Sequence, residues 1–114
     1  MRELRYKIDK VVDIDSIITN EIKNLGVTEY YRKTIKTSNK KIYVYVYEHI
    51  RKNYINQNRL TGMPTKFVVS TTVVAAVKES STVVSVVLAS DENYEINSII
   101  LALTSYGFSF VDSK

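Results

Sequence analysis

The sequence predicts an α+β domain: a single, mostly antiparallel sheet with two helices packed on one face. Three observations carry this. Segments dense in Val, Ile, Thr and Tyr recur along the chain, as strands require. Two further segments space their apolar residues at the helical period instead. The connections between strand-like segments are short and rich in Ser, Asn and Gly, which suits hairpins rather than long crossovers. A ferredoxin-like core carrying extra hairpin strands fits that order.

Leu4, Tyr6 and Ile8 alternate with Arg5, Lys7 and Asp9, which predicts a half-buried first strand from about Arg2 to Val12. Asp13 or Asp15 then caps a helix. Ile14, Ile17, Ile18, Ile22 and Leu25 recur at i, i+3, i+4, i+8 and i+11, one apolar stripe. Gly26 stands where a left-handed C-cap residue is expected. Residues 28–37 return to an extended pattern. Ser38-Asn39 follows as a turn, since Asn tolerates positive φ. The predicted hairpin spans residues 28–50, its second strand being Lys40 to Ile50, KKIYVYVYEHI.

That second strand runs on to about Ile55, and an exposed loop closed by Gly62 and Pro64 follows. Thr65 to Lys78 and Thr82 to Ser90 are too β-branched for helices, and Glu79-Ser80-Ser81 is short enough to join them as a hairpin. The first of the pair is apolar on both faces, which places it near the sheet centre. Ser90-Asp91-Glu92-Asn93 opens a second helix, with a capping serine and acids where the helix dipole favours them. Ile96, Ile99, Ile100 and Leu103 form its buried stripe, Gly107 ends it, and Phe108-Ser109-Phe110 begins a last short strand. Residues 2–35 and 82–112 share the order strand, helix, glycine, strand, a resemblance too weak to establish duplication.

At 114 residues the chain is one domain, residues 1–114, with 45% hydrophobic and 25% charged residues, both ordinary globular values. No cysteine is present, which excludes disulfides and thiolate metal sites and fits a reducing compartment or a hot environment. The opening MRELRYKIDK lacks the apolar stretch of a secretory signal, and the apolar segments are too short to span a bilayer. A cytoplasmic location without membrane association is expected.

No catalytic constellation is present. His49 is the one histidine, and Glu48 beside it points to the opposite face of a strand, so the two form no dyad. The three glycines stand apart, which excludes a phosphate-cradling loop. The aspartates near residues 13 and 91 are explained as caps rather than metal ligands, and no serine has a placed base. The sequence predicts a non-enzymatic protein without cofactor or metal.

Charge points elsewhere. Residues 28–66 carry nine Lys or Arg against Glu29 and Glu48, a local +7 within a chain of net charge +4. Such asymmetry suggests a polyanion. Along the 40–50 strand, Ile42, Val44 and Val46 share one face, expected in the core, while Tyr43, Tyr45, Tyr47 and His49 share the other, expected outward. Outward aromatics on a strand stack single-stranded bases, and flanking cations hold the phosphates. The expected nucleic-acid site is therefore Lys40, Lys41, Tyr43, Tyr45, Tyr47, His49, Arg51, Lys52 and Arg59. On this orientation Tyr45→Ala weakens binding and leaves the fold intact. The alternatives are a protein interface, with a partner or as a homodimer, built from the same tyrosine face, and packing of that face beneath the chain's own second helix.

Overall fold

The computed structural model describes residues 2–25, 27–53, 65–88 and 95–114, with side chains described at all of these except 49–53, 65–69, 88, 95 and 96. The element order is β1 (Arg2–Ile8), α1 (Ile14–Leu25), β2 (Thr28–Lys36), β3 (Lys41–Asn53), β4 (Thr65–Val77), β5 (Thr82–Leu88), α2 (Glu95–Ser105) and β6 (Ser109–Ser113). The strands form one six-stranded sheet in the order β2-β3-β4-β5-β1-β6. Every ladder is antiparallel. The α+β class and the two helices expected from the sequence are both present. Among the described residues, no helix is long and apolar enough to cross a membrane.

Local chemistry explains where the elements stop. Asp13 caps α1, its carboxylate accepting from the Ser16 backbone N–H at 3.3 Å and from the Ser16 hydroxyl at 2.8 Å. Asp15, the other expected cap, lies inside the first turn. β1 ends at Ile8, four residues before the expected limit at Val12. The reason is Thr82: its hydroxyl donates to the Lys10 carbonyl at 3.1 Å and accepts from the Val12 N–H at 3.4 Å. These bonds hold the β1–α1 connection off the ladder. Gly107 ends α2 with φ of 101°. There the Phe108 N–H donates to the Leu103 carbonyl at 3.0 Å and the Gly107 N–H to the Thr104 carbonyl at 3.0 Å, the paired bonds of a Schellman motif.

The β2–β3 turn forms at Ser38-Asn39 as expected, but without positive φ at Asn39, since no described non-glycine residue adopts it. The Thr37 N–H donates to the Lys40 carbonyl at 2.9 Å, and the Thr37 hydroxyl also reaches that oxygen. An equivalent 2.9 Å bond from the Lys78 N–H to the Ser81 carbonyl closes the β4–β5 hairpin at the same end of the sheet. The expected caps at Gly26 and 90–93, and the loop through Gly62 and Pro64, lie outside the described residues.

One buried cluster holds the layers together. Ile14, Ile17, Ile18 and Ile22 of α1 and Ile99 and Leu103 of α2 meet Leu4, Tyr6, Ile8, Tyr45, Tyr47, Val73, Ala75, Val84 and Val86. All the strand members point to one face, because Tyr45 pairs with Val73, Val73 with Val86, and Val86 with Leu4. Both helices therefore cover this side. α1 joins β1 to β2 across the intervening β5, β4 and β3, whereas α2 joins β5 to β6 across β1 alone. The two look-alike segments of the sequence thus have different reach in the fold.

Candidate nucleic-acid interface

The orientation of β3 is the reverse of the expected one. Tyr45 and Tyr47 are sealed in the core at 0% and 1% exposure, and Tyr43 is half-buried against it. Ile42, Val44 and Val46 lie half-buried on the opposite face. A period of two separates the faces of a strand but does not say which is covered. Here the isoleucine stripe of α1 covers the rings, and a tyrosine buries more area than a valine if its hydroxyl finds a partner. Tyr43, Tyr45 and Tyr47 are accordingly core residues and form no stacking platform.

The partner for Tyr45 is Asp15, in the first turn of α1, which accepts the phenol hydrogen bond. Arg32 is opposite Tyr45 in the β2–β3 ladder. It places its guanidinium 5.1 Å from the Tyr45 ring centroid and reaches Asp15 at 3.5 Å, while its Nε donates to Glu29. Tyr43 stacks beside Tyr45 with ring centroids 6.4 Å apart. Burial, and then the hydrogen bond to and negative charge of Asp15, push the Tyr45 phenol well above its usual value. The hydroxyl stays protonated at any physiological pH. This cluster joins helix to sheet, and neither Asp15 nor Arg32 suggested itself from the sequence, because their meeting depends on the ladder register.

The remaining expected site residues scatter. Lys40 and Lys41 are exposed, in the β2–β3 turn and at the start of β3. His49, Arg51 and Lys52 lie on β3 opposite Val69, Phe67 and Lys66 of β4. Their side chains, and Arg59 altogether, are outside the described residues. The fold does not bring a tyrosine face to the lysines of residues 40 and 41.

It brings them instead to the neighbouring edge strand. β2 is exposed along its whole length. A bulge between Glu29 and Tyr31 sets off Tyr30, which is 70% exposed, and Tyr31 beside it is 45% exposed. Lys33 and Lys36 follow on the same strand. At the turn end, Lys36, Lys40, Lys41 and Lys78 line two adjoining shallow recesses of about 490 and 360 Å³, with Glu79 as the acid among them. Among the described residues, none of Lys33, Lys36, Lys40, Lys41 and Lys78 is engaged in an ion pair. The sequence does contain the signal, TEYYRKTIK, but the longer tyrosine alternation of β3 outweighs it until the sheet order identifies β2 as the edge.

Among the described residues no group of three or more His, Cys, Asp or Glu could hold a metal ion. No protein-family model matches the chain, and comparisons with curated proteins and with solved structures return no match.

Proposed function

We propose that this chain is a small, non-enzymatic cytoplasmic domain that binds single-stranded nucleic acid along its β2 edge and the adjoining turn end of the sheet. One observation carries the reading. Among the described residues, the exposed Tyr30 and Tyr31 lie with Lys33 along the edge strand β2, and Lys36, Lys40, Lys41 and Lys78 gather at its turn end, none of these five lysines in an ion pair. Cations outside ion pairs are free to neutralise phosphates, and exposed rings farther along the same edge offer bases a surface on which to stack. The local +7 of residues 28–66 is consistent with this.

Within the same proposal we read the fold as a ferredoxin-like core widened by a hairpin. In that reading β1, α1, β2, β5, α2 and β6 follow one another as a β-α-β-β-α-β chain does, with β3 and β4 inserted between β2 and β5.

Fluorescence anisotropy with a labelled single-stranded oligonucleotide tests the function. Affinity is expected to fall with salt, with a log–log slope of roughly −0.7 per phosphate neutralised. Lys40→Glu with Lys78→Glu should flatten that slope, and Tyr30→Ala should weaken binding by about 1–3 kcal/mol if one base stacks there. Absence of binding at low salt, or binding indifferent to the lysine substitutions, refutes the proposal.

A further inference from the structure

The face of the sheet away from the helices has the composition of a second core. An antiparallel sheet that meets water on one side ordinarily alternates apolar and polar residues. Here β3 turns Ile42, Val44 and Val46 to that side, β4 turns Val74 and Ala76, and β5 turns Val83 and Val87. All are half-buried, and no described element lies across them. Thr72 and Ser85 are the polar members of the block. Charged residues stand at its margins, with Lys33 on β2, Glu3, Arg5 and Lys7 on β1, and Glu48 beyond Val46 on β3. An apolar centre with a charged rim is the anatomy of a protein interface.

The arrangement also suits one partner in particular. In the ladder register, Val46, Thr72 and Val87 stand at one level, Val44, Val74 and Ser85 at the next, and Ile42, Ala76 and Val83 at the third. The block is thus nearly symmetric about β4. A twofold axis running along β4 lays the β3 residues of one copy over the β5 residues of the other and sets Val74 against its own counterpart. Two-fold interfaces require this self-complementarity, and sheets stack face to face about 10 Å apart with their strands roughly aligned. The area is sufficient. About this axis five strands overlap, β2 over β1 and β3 over β5 on either side of β4; spaced about 4.8 Å, each some seven residues of about 3.3 Å, they give a face of roughly 550 Å² per copy. Two such faces together reach about 1,100 Å², above the roughly 1,000 Å² that a specific interface needs.

We infer that a second copy of this chain packs on the helix-free face, sheet against sheet, to give a dimer whose shared core is the aliphatic block of β3, β4 and β5. The turn-end lysines Lys36, Lys40, Lys41 and Lys78 lie outside the aliphatic block, so dimerisation and polyanion binding at that end are separable.

Sedimentation equilibrium of the full chain from micromolar to high micromolar concentration tests this. The expected mass is twice the 13.1 kDa of the chain. Val74→Lys, which places like charges together on the axis, and Ser85→Arg, which puts a cation over Val44 of the other copy, should each halve the mass while far-UV circular dichroism stays unchanged. Ser85 is already polar, so its variant carries the test if Val74→Lys fails to fold. Lys40→Glu should leave the dimer intact. A wild-type chain that stays monomeric at high micromolar concentration overturns the inference, as do folded Val74→Lys and Ser85→Arg variants that remain dimeric.

Discussion

Tyr45→Ala is the most informative single substitution, because the magnitude follows directly from where the ring lies. Tyr45 is fully buried between the β3 ladder and α1, and its hydroxyl is bonded to Asp15. Truncating a buried aromatic to alanine costs about 3–5 kcal/mol through lost transfer energy and the cavity left behind. The hydroxyl adds to this. A hydrogen bond to a charged group contributes about 1.5–3 kcal/mol, but the half-exposed Asp15 regains water once the phenol is gone, so about 1–2 kcal/mol is expected here. Tyr45→Phe isolates that smaller part, and Tyr45→Ala should lose about 4–7 kcal/mol in all. Against a total stability of about 5–15 kcal/mol for a domain, that is a large share of the whole. Urea denaturation followed by circular dichroism measures both, with an unchanged m-value confirming that the unfolded states are comparable. A loss below about 1 kcal/mol for Tyr45→Ala, the size expected of an exposed residue, would mean the ring does not lie under α1.

Two further outcomes follow from the ends of the chain. The Asp112 carboxylate accepts from Arg5 Nε at 2.6 Å and Nη2 at 2.5 Å, and these bonds hold its pKa below the usual carboxylate value. With the folded value below the unfolded one, the stabilisation is present above the ordinary carboxylate range and is lost as pH falls through the folded value. Asp112→Asn should therefore reduce the loss of stability on acidification, read as a flatter acid limb in urea midpoints against pH. A limb identical to wild type would refute this. Gly107 adopts φ of 101°, where a side chain is strained, although among the described residues a Cβ would meet only the flexible Ile8 Cδ1 at 3.4 Å. Gly107→Ala should cost roughly 1–2 kcal/mol from the backbone alone, and a neutral melt would place the α2 C-cap in another conformation.

Much of the fold is written in local pattern. The α1 stripe Ile14, Ile17, Ile18, Ile22 and the β-branched runs of β4 and β5 give their element types directly, because periodicity and χ1 crowding act within a few residues. Asp13 and Gly107 mark their helix ends for equally local reasons, a carboxylate bonded three residues on and a left-handed backbone. The end of β1 is not local: Thr82, more than seventy residues away, sets it.

By itself the sequence determined that β3 has a tyrosine face and an aliphatic face, and that the surrounding stretch is basic. Only the tertiary structure decided which face is covered. Alternation is a property of one strand, whereas inside and outside are defined by what packs against the sheet. Here that is α1, whose Asp15 gives the Tyr45 hydroxyl a partner and so makes the polar-tipped rings a workable core. The same packing leaves the aliphatic face without a described cover and makes β2, rather than β3, the edge where aromatic rings and lysines meet solvent.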